Sequence, residues 1–239
     1  MGEYFDWVNV DKREFICPND FDYGNKFHKT MHKDSVPLHA LHVLLAENWK
    51  GDHVIWLGDE CAIPEDSSNI VFKKLYDQSV EYGERGNAID MYFETYKNVS
   101  SLFKEAEKEV RQEIGFYLED LKSGNRSDVH NEYGVDPEHP FDGLFQKSAR
   151  RFKYTVNHTK KVYYALDETD ILFQDNTKND FSDPLPLLMG YGRVADPGEW
   201  LGDIIGVSDI RPEGYSLLPK PFMYGREMMP PKNFMPRRE

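Results

Sequence analysis

Cysteine is scarce in this chain: Cys17 and Cys61 are the two in 239 residues. Two thiols cannot form a disulfide framework, and such usage points to a reducing compartment. Long apolar runs are also missing. No stretch approaches the roughly 18 residues that read as a bilayer-spanning helix. The opening Met1-Gly2-Glu3-Tyr4-Phe5-Asp6 is acidic and has no apolar centre, unlike a secretory signal, and Asp6 stands where myristoylation wants Ser or Thr. A cytoplasmic protein without membrane attachment is expected. Positive charge is in deficit, with 29 Lys and Arg against 42 Asp and Glu, a net of −13. That balance repels free nucleic acid and suits solubility or a basic protein partner. Walker A, GxGxxG, GxSxG and HExxH patterns do not occur, and no cofactor is expected.

Hydrophobic residues make up 39% of the chain, enough for an ordinary globular core. Two motifs recur in the same order. Phe5–Ile16 reads FDWVNVDKREFI, and the stretch 153–164 reads KYTVNHTKKVYY. Val8-Asn9 matches Val156-Asn157, and Lys12 matches Lys160. Further along, Trp49, Gly51 and Asp52 match Trp200, Gly202 and Asp203. An apolar stretch precedes each tryptophan, at 37–45 and at 184–188. Asn and Asp tolerate left-handed backbone, so Asn9–Lys12 and Asn157–Lys160 read as hairpin turns, each Gly-Asp as a turn feeding a strand.

The pattern predicts an α+β fold: two diverged, duplicated β-rich halves, 4–62 and 152–212, sharing one mixed or antiparallel sheet. A helical insert, 66–122, separates them within a single domain, 1–218. In the insert, Leu102, Ala106, Val110, Ile114, Tyr117, Leu118 and Leu121 recur at helical spacing, with Ser100 or Ser101 as N-cap and Gly124 past the end. Shorter helices are expected over 68–79 and 88–96, and a loop over 123–140. Residues 219–239 hold five prolines and a net charge of +3 against −16 for the rest, and read as a tail without regular structure that lies on the body or enters a partner.

Gly2, Tyr4, Val8, Asn9, Asp11 and Lys12 form a GxYxxxVNxDK opening; Trp49, Gly51, Asp52, Gly58 and Asp59 form WxGD and GD motifs. Together with 156–161, they resemble a family of bacterial and, more distantly, eukaryotic proteins, over most of the chain to about residue 218. The resemblance implies a family without implying an activity.

Few side chains carry chemistry in a legible pattern. His28/His32 and His39/His42 have spacings that place each pair on one helix face, as a transition metal requires. Lysines flank the first pair and apolar residues the second, so no metal is expected. Asp52 and Asp203, with Asn9 and Asn157, are the candidate catalytic groups, should the halves bring two acids face to face. Cys61 beside Glu60 is a poor nucleophile, since a neighbouring carboxylate raises a thiol's pKa. The leading expectation is an acidic protein-binding or regulatory protein of the inhibitor or immunity type. The alternative is a small-molecule hydrolase or transferase with a pocket between the halves.

Overall fold

Strand β1 (Phe5–Asn9) is buried along its whole length, which an alternating strand achieves only when both its faces are covered. In the computed structural model, described for residues 3–27, 29–124, 131–169, 171–172, 178–179, 181–193, 195–218 and 222–223, two layers do this. Phe5 and Trp7 point into one core, with Ile16, Val54 and Trp56. Val8 points into a second, with Phe15, Ile55 and Leu57. The Trp7 and Trp56 rings face each other across paired strands, 4.7 Å between centroids.

The chain continues through β2 (Glu14–Ile16), α1 (Val36–Ala46), β3 (Val54–Gly58), α2 (Ile70–Tyr82), α3 (Ala88–Thr95), β4 (Lys97–Asn98) and α4 (Glu107–Ser123). Then come β5 (Tyr154–Asn157), β6 (Val162–Ala165), β7 (Ile171–Leu172), β8 (Lys178–Asn179), α5 (Leu185–Met189), β9 (Gly190–Tyr191), β10 (Ile205–Ser208), β11 (Ser216–Leu217) and β12 (Phe222–Met223). Among the described residues the sheets run β4-β2-β1-β3-β9, β10-β5-β6-β11 and β12-β7-β8. The first mixes antiparallel pairs (β1 with β2 and β3) and parallel ones (β2 with β4, β3 with β9). The architecture is α+β.

A single shared sheet does not form. Each central strand has both edges taken by its own neighbours: β1 lies between β2 and β3, and β5 between β6 and β10. No edge of β1 or β5 is left for the other.

Helix positions follow local chemistry. Asn69 caps α2 by accepting from Val71 N at 2.9 Å, and Asn87 caps α3 by accepting from Ile89 N at 3.2 Å. Both helices cover the Val8 face of the first sheet through Val71, Phe72, Leu75, Met91 and Tyr92. Helix α1 is apolar almost all round and accordingly buried. In α4, Val110 and Ile114 are buried as the stripe predicts, but the helix begins at Glu107, without a side-chain cap. Leu102 and Ala106 precede it, in the short 3-10 turns Val99–Leu102 and Lys104–Ala106. The serines do not cap it: Ser100 Oγ accepts from Cys17 N, and Ser101 Oγ donates to Asn98 O. Gly124 ends α4 in the left-handed region, at φ 62°. In the C-terminal segment, Phe222–Met223 pairs with β7 where no regular structure was expected. Residues 219–221 and 224–239 lie outside the described residues.

No helix among the described residues is long and apolar enough to cross a membrane.

Candidate functional site

The hairpin between β1 and β2 is closed by Asn9, fully buried at the end of β1. Its Oδ1 accepts from Asp11 N and Lys12 N, and its Nδ2 donates to Asp52 Oδ2 at 2.9 Å. Lys12 Nζ lies 3.1 Å from the same oxygen. The hairpin between β5 and β6 repeats this arrangement. Asn157 accepts from Lys160 N and donates to Asp203 Oδ2 at 2.8 Å, with Lys160 Nζ 3.2 Å from that oxygen. Each aspartate sits in a turn that opens on a tryptophan, Asp52 N donating to Trp49 O and Asp203 N to Trp200 O. Gly51 and Gly202 make those turns possible, at φ 86° and 95°, where a Cβ is disfavoured.

The candidate catalytic residues thus form two clamps, Asn9–Asp52 and Asn157–Asp203. Each aspartate is engaged by an amide and a lysine, and none of the four lines either cavity described below. They hold hairpins to returning strands.

The histidines are likewise taken up individually. His32 stacks on Phe181 with centroids 5.2 Å apart, and His39 Nε2 is 2.7 Å from Lys33 O. His42 is fully buried, with Nε2 3.8 Å from Asp183 Oδ2. Burial pushes the His42 pKa down to about 3, helped by the neighbouring His39 and Arg151. His28 lies outside the described residues. Among the described residues, no three His, Cys, Asp or Glu side chains are grouped to hold a metal ion.

Convergence of functional groups occurs elsewhere. A cavity of about 390 Å³ lies between the start of the first sheet and α4. Its carboxylates are Asp6, Asp20, Asp59, Glu109, Glu113 and Glu132. Tyr4, Phe15 and Phe93 supply rings, and no Lys or Arg is among its described lining residues. A smaller cavity of about 220 Å³ is also lined by Glu113 and Glu132, together with Tyr117 and Tyr133. No residue of 152–212 lines either one, so the pocket expected between the halves is not where these cavities form.

Asp6 and Asp20 are the buried acids of the larger cavity, 4% and 7% exposed. The Tyr92 hydroxyl donates to Asp6 Oδ2 at 2.8 Å. Asn98 Nδ2 donates to Asp20 Oδ2 at 2.8 Å and Tyr133 Oη to its Oδ1 at 3.3 Å. Asn98 also reaches Glu132 Oε1 at 3.2 Å, tying the two acids together. Burial raises Asp6 to about 7, against the opposing hydrogen bond from Tyr92. Burial also raises Asp20 to about 7, aided by the Glu132 charge, and lifts Glu132 above its usual range. Loss of water outweighs the donors, and the neighbouring acids add repulsion against the charged forms.

The Cys17 thiol, which also lines the cavity, is pushed well up by burial and then by Asp6 and Asp20. Burial drives Cys61 up to about 12, with Glu3 and Asp59 as the contributing charges rather than the adjacent Glu60.

Sequence reasoning missed this cavity. Its acids come from β1, the 3-10 turn after β2, the end of β3, α4 and the segment beyond it, with no spacing to unite them. Locally, Asp20-Phe21-Asp22 is a turn: a 3-10 helix, Pro18–Phe21, closed by Asp22 at φ 53°.

No family model matches the chain, and no curated protein or solved structure is significantly similar to it.

Proposed function

We propose that this is an acidic, cytoplasmic binding protein that recognises a basic protein partner, acting as a regulator of the inhibitor or immunity type. The observation that carries the reading is the carboxylate-lined cavity, with no Lys or Arg among its described lining residues, set in a chain of net charge −13. Acidic surface steers a cationic partner, and an acid-lined recess gives one of its side chains a place to anchor. Capture of partners from the source cell's extract at low and high salt tests this. A basic partner released as salt rises is the expected result. Capture that ignores salt, or a partner that is itself acidic, overturns it.

One observation favours the alternative, a small-molecule hydrolase or transferase. Asp6 and Asp20 share a cavity, and both titrate at about 7, the range suited to general acid–base work. Under that reading the site is this cavity. Turnover of a metabolite that is lost in Asp20→Asn protein supports it, and absence of turnover across a metabolite panel counts against it.

We also propose that the chain arose by duplication of 4–62 and 152–212, with 66–122 inserted between the copies. The matched clamps support this, as does the register: Val8 pairs with Phe15 and Ile55, Val156 with Tyr163 and Gly206. Packing is reciprocal as well. Helix α1, from the first copy, packs on β10, and α5, from the second, packs on β3. Of the GxYxxxVNxDK and WxGD motifs, Asn9, Lys12 and Asp52 form the first clamp.

A further inference from the structure

We propose that the acid-lined cavity binds a primary ammonium or guanidinium group, carried either by a free polyamine or by a Lys or Arg side chain of a protein partner. This deepens the binding reading above, and rests on it only for the second source.

Two independent features point to such a ligand. The first is the cavity's composition: six carboxylates around about 390 Å³, with no described Lys or Arg lining it. The second is Asp6 itself, 4% exposed, whose Oδ1 has no hydrogen-bond partner of proper geometry. Its Oδ2 is satisfied by Tyr92. The Cys17 thiol is close enough to lower the Asp6 pKa slightly, after burial and Tyr92, but completes no directed bond to Oδ1. A buried carboxyl oxygen without a donor is uncommon and asks for one.

The donor set needed is particular. No three metal-ligating side chains are grouped among the described residues, so the cation must bring its own hydrogen-bond donors. Ammonium has three and guanidinium five. Tyr4 and Phe93, both at least partly exposed, add ring surface against which an organic cation packs. The smaller cavity shares Glu113 and Glu132 and continues the acidic lining along α4. That extension suits a ligand with a second positive group.

Binding is coupled to protons. The groups acting on Asp6 are Tyr92 from α3, Cys17 and Asp20 beyond β2, Asp59 after β3 and Glu132; Glu109 and Glu113 on α4 complete the acidic lining, and Glu109 is paired with Lys108 at 2.6 Å. Asp6 and Asp20 hold protons up to about pH 7. An entering cation lowers both values and releases those protons, so affinity rises with pH.

The test is calorimetric titration at pH 6 and pH 8, in two buffers of different ionisation heat. The probes are spermidine and a capped peptide carrying two arginines. Binding at least tenfold tighter at pH 8, with proton release, is expected. Asp6→Asn should weaken it at least tenfold. Glu113→Gln, on an exposed residue that does not threaten folding, should weaken it several-fold. Spermidine binding alone identifies a free amine as the source, and peptide binding alone a side chain. Failure of both probes at millimolar concentration overturns the proposal, as does binding that neither substitution changes. A natural partner held equally well by wild-type, Asp6→Asn and Glu113→Gln protein removes the cavity from recognition while leaving the binding reading intact.

Discussion

The side-chain amide of Asn157 donates to Asp203 Oδ2 at 2.8 Å, across 46 positions of chain. The bond ties the end of β5 to the turn that launches β10, and its counterpart between Asn9 and Asp52 ties β1 to the launch of β3. Both asparagines are fully buried. A buried amide serving as donor and acceptor at once has no apolar substitute.

Asn9→Ala and Asn157→Ala should therefore each cost about 1–3 kcal/mol, the usual penalty for stranding buried polar partners. Urea unfolding of each variant measures it. Because each clamp closes its own hairpin in its own sheet, the double variant should lose about the sum. Losses below 0.5 kcal/mol would reassign the asparagines away from structure.

Trp49 and Trp200 open the two Gly-Asp turns and are almost wholly buried. Trp49 Nε1 donates to Glu14 Oε2 at 2.6 Å, and Trp200 packs on Tyr164 at 5.9 Å between ring centroids. Truncating either to Ala should cost about 3–5 kcal/mol. Variants that melt like wild type but lose a partner would place the tryptophans in a recognition surface instead.

Stability should fall as pH rises from 4 to beyond 7. Asp6, Asp20 and Asp183 have folded pKa values raised to about 7, 7 and 6, from 3.8. A raised group binds its proton more tightly in the folded state, so its contribution is complete below the unfolded value and drains away up to the folded one. Each costs roughly 1.4 kcal/mol per pH unit within that window. His42, lowered to about 3 from 6.5, acts in the opposite sense between those values. Glu132 joins the raised acids, and the less buried His32 and His158 join His42 among the lowered imidazoles; the buried acids outweigh them, so denaturant midpoints at pH 5 should exceed those at pH 8. In Asp6→Asn the slope should be shallower. A midpoint that climbs steadily from pH 5 to pH 8 would contradict the environment described for these acids.

Gly198 sits where a Cβ would lie 2.3 Å from Leu188 O and 2.6 Å from Leu187 O. The loop before Trp200 is laid directly on the α5 backbone, which cannot move aside as a side chain can. Gly198→Ala should cost about 1–3 kcal/mol by forcing the two apart. Gly115→Ala is a useful control: nothing lies within 4 Å of its Cβ and its helical backbone accepts Ala. If the two variants lose the same stability, close packing at Gly198 is not the cause.

Short-range chemistry was legible from the chain alone. Asn, Asp and Gly marked both hairpins and both Gly-Asp turns because turn geometry depends on neighbouring residues. The spacing of Val110 and Ile114 marked α4, and Asn69 and Asn87 stand where the short helices begin, because caps and periodicity are also local. What lay beyond reach was everything set by distant partners. Sheet membership turned on which strand edges remained unpaired, a consequence of β1 and β5 each taking two neighbours. The cavity was invisible for the same reason. Asp6, Asp20 and Glu132 are ordinary acids in sequence, and only burial in the folded chain deprives them of water and raises their affinity for protons. Local backbone preference belongs to the sequence. Desolvation belongs to the fold, because it depends on what the rest of the chain brings alongside.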